Sequence, residues 1–271
     1  MVPDLSGYWA RNSLAYETPS AGPGPVENAS RLPSGARNRT MLVGDVTNPI
    51  LTPKAAEIVK QFGEISRAGQ GFPDPNNQCW PEGPPYIFRV LETQVLQQDD
   101  QIVILYSFDH QVRHIYLDQA HPARVTPSWS GHSIGHFEGD TLVVDTVGIK
   151  VGPFSMIDRL GTPYSERLHL VERFRLIDIE TAKAVMARNE RENGRIDADG
   201  GGGQADPNDT GKALQISFTV EDPEFFTIPW SATVTYRRNI AAWSERPCAE
   251  NLNNYGVAPD PKVPVADTPD F

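Results

Sequence analysis

The chain changes its pattern of apolar and polar positions twice. Residues 10–50 show little periodicity and are crowded with Pro, Gly, Ser and Asn. They read as an extended arm over the surface of a domain. Over Leu51–Ile65 the apolar positions recur with a helical period. Thr52 stands at the N-cap, Pro53 takes the first helical position, and Ile58, Val59 and Phe62 form one stripe, so a helix is predicted over 52–65. Residues 69–86, with Pro73, Pro75, Pro81, Pro84 and Pro85, read as loop.

From residue 94 the period falls to two. Gln94–Gln98 and Gln101–Phe108 predict a hairpin across Asp99-Asp100, and a strand follows through Arg113–Asp118. Ser130–Phe137 and Thr141–Val147 predict the clearest hairpin, closed at Glu138-Gly139-Asp140. Further strands are expected at Leu168–Ile177, Leu214–Glu221 and Ser231–Arg238, with a short helical stretch over 180–192. Residues 194–211 read as a mobile loop, and the Pro- and Asp-rich segment 253–271 as a tail. The predicted organisation is an arm (1–50), one mainly β domain (51–252) and that tail. About eight antiparallel strands with a single good helix favour a barrel or a sandwich, and a barrel of about eight strands holds one small ligand inside.

Composition narrows the functions this architecture can serve. The net charge of −11 argues against a nucleic-acid partner. With 22 Gly and 24 Pro, about a sixth of the 271 residues are turn formers, which disfavours a helical bundle. No run of about 18 apolar residues occurs, so no membrane-spanning helix is expected. Met1-Val2-Pro3-Asp4 has neither a basic start nor an apolar run, so no signal peptide is read. Cys79 and Cys248 lie far apart; they form either one disulfide, worth about 4–5 kcal/mol in the chain-entropy model, or two buried thiols.

Candidate chemistry follows from the parity of the strands. In the predicted hairpin Phe137 faces Leu142, Gly135 faces Val144 and His136 faces Val143. His132, Ile134, His136, Thr141, Val143 and Asp145 then share one face, while Ser133, Gly135, Phe137, Leu142, Val144 and Thr146 share the other. On the preceding strand His110, Val112, His114, Tyr116 and Asp118 share a face, opposite Arg113, Ile115 and Leu117. If the histidine faces line one cavity, His110, His132, His136 and Asp145 are placed for acid/base catalysis. If they face water, they are surface polar groups. Arg113, His114, Tyr116, Arg173 and Trp230 are the candidate substrate contacts. Trp230 belongs with Trp80, Tyr86, Phe88, Phe225 and Phe226 to an aromatic set that either caps a pocket or fills the core.

No metal is assigned. His110/His114 and His132/His136 are four residues apart, which on a strand separates them by about 13 Å, against Zn–N bonds of about 2.0–2.1 Å. Asp197, Asp199, Asp206 and Asp209 lack the bidentate Glu of a calcium loop and read as solvated. Ser133 beside a histidine is a weak nucleophile candidate, since no Gly-x-Ser-x-Gly elbow is present. No Gly-x-Gly-x-x-Gly or P-loop occurs, so no nucleotide cofactor is expected.

Leu5-Ser6-Gly7-Tyr8-Trp9, Arg113-His114-Ile115-Tyr116-Leu117-Asp118, Gly135-His136-Phe137-Glu138-Gly139-Asp140-Thr141-Leu142-Val143-Val144-Asp145-Thr146 and Glu172-Arg173-Phe174-Arg175 resemble a mostly uncharacterised family of exported bacterial proteins. Ser165-Glu166 and Glu221-Asp222-Pro223 also fit it, and the likeness covers roughly residues 79–251. Gln119-Ala120 departs from the family's usual Asp-Gly-Arg turn, and Tyr164 stands where a His is common. Gly7-x-Trp9 is similar to the lipocalin opening. The resemblance implies an antiparallel lipocalin- or calycin-like barrel with a ligand cavity, and a periplasmic or secreted location after loss of a signal peptide. It carries over no reaction. The expectation is therefore a cofactor-independent lyase, isomerase or cyclase acting on a small apolar or aromatic metabolite inside a barrel. A non-catalytic carrier and a metal- or serine-dependent hydrolase are the alternatives. The sequence leaves a cytoplasmic location and an oligomer open.

Overall fold

The computed structural model describes residues 2–90, 92–194 and 209–239. Among these residues nine strands form a closed barrel: β1 (Gly7–Ala10), β2 (Glu92–Gln97), β3 (Gln101–Tyr106), β4 (Val112–Leu117), β5 (His132–Glu138), β6 (Thr141–Val147), β7 (His169–Asp178), β8 (Lys212–Glu221) and β9 (Trp230–Arg238). Each strand pairs with its neighbour in sequence, and β1 closes the ring on β9 through Trp9↔Arg238 and Ala10↔Arg237. The predicted β5–β6 register is observed, with Gly135 opposite Val144 and His136 opposite Val143. Most neighbouring pairs are antiparallel. The expectation of an all-antiparallel sheet needs one correction, because β4 and β5 run parallel. A parallel pair cannot be joined by a tight turn, so residues 118–131 cross over the sheet to begin β5.

Among the described residues two α-helices accompany the barrel, one at the helix predicted over 52–65 and one at the short helical stretch read over 180–192. The helix α1 (Pro53–Arg67) starts as its sequence predicts, with Thr52 Oγ1 accepting from Ala55 N at 3.3 Å and Pro53 in the first turn. Its buried side packs against the arm. A Cβ at Gly44 would meet Val59 at 2.3 Å, so only glycine admits that approach. The second helix, α2 (Ile179–Asn193), covers the outward side chains Ile177 and Ala213 with Ile179 and Ala182.

The barrel interior is filled by side chains. Trp9, Ile104, Tyr106, Ile115, Leu142, Val144, Phe174, Phe218, Val234 and Tyr236 are all buried there. The 3-10 turn Tyr86–Arg89 seats Phe88 against Phe218 at 5.3 Å, and Arg11 Nη1 and Tyr236 Oη both donate to the Phe88 carbonyl. The arm is held in place as well as extended. Glu17 accepts from Thr235 N at 2.9 Å and Thr235 Oγ1 at 2.7 Å, and Ile50 and Leu51 reach the core. At the closing seam the Arg238 guanidinium lies 4.0 Å above the Trp9 ring. A Cβ at Gly7 would sit 1.7 Å from Arg238 Nη1, which accounts for glycine there.

Cys79 is disulfide-bonded, so the thiol reading does not hold for it. Cys248, the tail 253–271 and residues 195–208 of the loop expected at 194–211 lie outside the described residues. No described helix is long and apolar enough to cross a membrane.

Candidate functional site

Inside the barrel, the charged chemistry is structural. Arg113 and Glu172 are 1% and 0% exposed and form an ion pair. Arg113 Nη1 donates to Glu172 Oε1 at 2.9 Å, while Nε and Nη2 reach Ser133 Oγ at 3.1 and 3.0 Å and Nη2 reaches Thr146 Oγ1 at 2.8 Å. Burial disfavours the charge on Arg113, but the Glu172 carboxylate more than offsets it and raises the arginine's pKa. Every part of the guanidinium fork is engaged, which corrects the assignment of Arg113 as a substrate contact. Ser133 is sealed in this same network, on the face opposite His132, so it has no histidine to activate it.

The histidine face lies on the outside of the barrel. The alternation predicted from the sequence is right, and of the two directions it left open the outward one holds for the histidines: Ser133, Gly135, Leu142, Val144 and Thr146 point inward and are buried. Asp145 projects outward from β6. His169 projects outward from β7, where Val171 is the register partner of Asp145. The crossover 118–131 runs over this outer surface and brings His121 down onto it.

These residues form a continuous chain of hydrogen bonds. His169 Nε2 contacts Asp145 Oδ2 at 2.8 Å, and His121 Nε2 contacts Asp145 Oδ1 at 2.9 Å. His121 Nδ1 lies 2.8 Å from His132 Nδ1. Glu221 Oε2 is 3.5 Å from His169 Nδ1 at the far end. The chemistry of the groups orders the protons. An ionised Asp145 only accepts, so both Nε2 atoms facing it carry hydrogen. In neutral His121 the Nδ1 atom is then a lone pair, which His132 Nδ1–H satisfies. His132 Nε2 is left as an unprotonated base with no partner among the described residues.

The charge states fit this order. Burial works against the Asp145 carboxylate, but the hydrogen bonds from His169 and His121 lower its pKa overall. The His169 pKa is raised: burial opposes its charge, and the bonds to Asp145 and Glu221 outweigh that opposition. Burial, then the neighbouring His121, lowers the pKa of His132 and favours its free-base form.

His132 borders an open cleft of about 730 Å³ between β4 and the crossover. His114 and Tyr116 form one wall, and Trp129 and Arg124 belong to the other. The rings of His114, Tyr116 and His132 stack in series, with centroids 6.3 and 5.6 Å apart. Among the described residues, the strand side chains that line the cleft, Val112, His114, Tyr116 and His132, are outward ones.

No protein-family model, curated protein or solved structure matches this chain. The site therefore rests on its own geometry. Of the predicted residues, the structure brings together His132, Asp145, His114 and Tyr116. His110 is excluded, because it belongs to a 3-10 turn (Phe108–His110) with a left-handed φ of 48° and precedes β4. His136 lies apart, 3.3 Å from Glu138, and Arg173 pairs with the same carboxylate at 2.8 Å. Trp230 is core, 1% exposed and edge-on to Phe226 at 5.6 Å. His121 and His169 were not anticipated. Parity on β7 signals His169, which shares a face with Arg173 and opposes Glu172; nothing local signals His121. Among the described residues no three His, Cys, Asp or Glu side chains are arranged to hold a metal. Of the four aspartates read as solvated, Asp197, Asp199 and Asp206 lie outside the described residues.

Proposed function

We propose that this protein is a cofactor-independent acid/base enzyme of the lyase or isomerase type, working on a small aromatic substrate at the outer cleft. The observation that carries the reading is the unbroken chain His132–His121–Asp145–His169, with the free nitrogen of His132 at the cleft. His132 Nε2 takes a proton from a carbon acid, and the Nδ1 proton passes to His121. The imidazolium formed at His121 is balanced by Asp145. Tyr116 stacks on His132 and Arg124 lines the cleft, so both can steady an oxyanion. Return of the proton to a second carbon is an isomerisation; expulsion of a leaving group is a lyase step. The ring-lined walls favour a flat substrate.

The lipocalin-like and exported readings belong to this proposal. The closed barrel that begins at Gly7-Tyr8-Trp9 supports the first. The disulfide at Cys79 supports the second, because disulfides persist in oxidising compartments.

The general test needs no knowledge of the natural substrate. Phenylpyruvate and benzoylacetone are incubated with the protein in D2O, and loss of C–H signal is followed by proton NMR. Exchange above the buffer rate is expected, falling about 100-fold or more in a folded His132→Gln variant. Exchange at the buffer rate with both probes, or equal rates for His132→Gln and wild type, would overturn the assignment.

A further inference from the structure

A second cavity lies away from the histidines, enclosed by the arm, the Asp158–Gly161 turn and the end of α2. Its volume is about 100 Å³. At roughly 10–15 Å³ of such space per water, it admits a molecule the size of benzoate or valerate. Four arginines line it, Arg37, Arg39, Arg89 and Arg159, against two carboxylates, Glu27 and Asp158.

Most of these charges have a local role. Arg37 is paired with Glu27 at 2.6 Å and donates to Asn193 Oδ1 at 2.9 Å. Arg89 is paired with Glu82, which lies behind the cavity wall, yet its Nε is buried without a partner. Asp158 is turned into its own loop, accepting from Leu160 N at 2.8 Å and Thr162 Oγ1 at 2.7 Å. Arg159 differs from all of them: it forms no hydrogen bond or ion pair with any described residue. Burial, Arg89 and Arg39 all disfavour its charge, and Tyr86 and Asp74 compensate only in part. A half-buried guanidinium with no protein acceptor has its donors open to an anion entering the cavity. The apolar part of the lining, Val26 and Leu160 at 5% and 7% exposure together with Leu42, favours an organic body over a bare inorganic ion.

We propose that this cavity binds a small organic monocarboxylate, with the carboxylate on Arg159 and the apolar body against Val26, Leu42 and Leu160. The site is separate from the outer cleft, so it stands or falls independently of the acid/base reading. A two-pronged contact to the carboxylate accounts for why an arginine is needed there.

Benzoate, valerate, benzyl alcohol and inorganic phosphate serve as probes, followed by calorimetry and by amide NMR shifts at Leu160 and Gly194. The wild-type protein is expected to bind benzoate saturably. Arg159→Gln should weaken binding about 10- to 100-fold, and Arg159→Lys should weaken it less. Benzyl alcohol, with the same ring and no charge, should bind at least about tenfold more weakly than benzoate. His132→Gln should leave the benzoate-induced amide shifts at Leu160 and Gly194 unchanged. If Arg159→Gln fails to fold, Arg159→Lys and the benzoate/benzyl alcohol comparison on wild type decide the matter. No saturable binding of either carboxylate up to about 10 mM would overturn the proposal. So would an unchanged affinity in a folded Arg159→Gln variant, or phosphate competing as well as benzoate.

Discussion

Replacing Glu172 with Leu removes one half of the ion pair inside the barrel and leaves Arg113 behind. The guanidinium is 1% exposed, and its other partners, Ser133 Oγ and Thr146 Oγ1, are neutral hydroxyls that cannot balance a charge. Breaking one side of a buried pair typically costs about 3–5 kcal/mol, because the survivor stays desolvated and uncompensated. For a domain of this size each kcal/mol shifts the melting temperature by about 2–4 °C, so a drop on the order of 10 °C is expected. The double variant Arg113→Met/Glu172→Leu should recover most of that loss, since apolar side chains of similar length relieve the desolvation as well as the attraction. Thermal and urea unfolding of wild type, both single variants and the double variant, followed by circular dichroism, give the full cycle. A Glu172→Leu variant melting within about 2 °C of wild type would refute the reasoning. So would a double variant whose loss equals the sum of the two singles, because that outcome means the two side chains do not interact.

Three further outcomes are expected. With its pKa raised when folded, His169 contributes stability that is full below the unfolded histidine pKa near 6.5 and fades as pH rises through the folded value. Asp145, whose pKa is lowered, contributes stability above the unfolded carboxylate pKa near 3.9 that fades as pH falls through the folded value. The pair is therefore strongest between about pH 4 and 6.5, and Asp145→Asn should lower stability within that window, flatten its decline on either side and bring the His169 NMR titration down; an unmoved titration counts against the contact. His121→Ala should raise the His132 pKa toward its ordinary value by removing cover and a neighbouring ring that disfavours its charge, as read from ring-proton titration; an unmoved or further lowered pKa would contradict that cause. Reducing the disulfide at Cys79 should destabilise the fold by about 2–5 kcal/mol, with unfolding in and out of reductant as the check and coincident curves as the contrary result.

Much of the barrel is legible in the chain because strand signals are local. Period-two alternation, Asp99-Asp100 and Gly139-Asp140 mark β2, β3, β5 and β6 to within a few residues, and Thr52-Pro53 marks the start of α1. β1 is harder to read, since four residues give too short a pattern for periodicity to register. The candidate site is legible only in part. Asp145 and His132 share a face by parity alone, and the same rule applied to β7 adds His169. His110 misleads because a left-handed turn at Asp109 and His110 breaks the alternation before β4 begins.

By itself, the sequence determined which side chains travel together, since alternate residues of a strand must lie on the same face. It also decided that the chain is mainly β, through its turns and its scarcity of helical periods. Which face turned inward was a tertiary decision. Leu142, Val144, Ile115 and Phe174 together outweigh one buried arginine, provided that Glu172 arrives from three strands away to pair with it. The parallel β4–β5 pairing was tertiary too, because it depends on how the barrel closes and not on the residues at the crossover. That pairing forces residues 118–131 across the outer surface, which brings His121 to Asp145 and walls the cleft. The site therefore exists where long-range strand order meets local parity, and only the second of these is written in any short stretch of the chain.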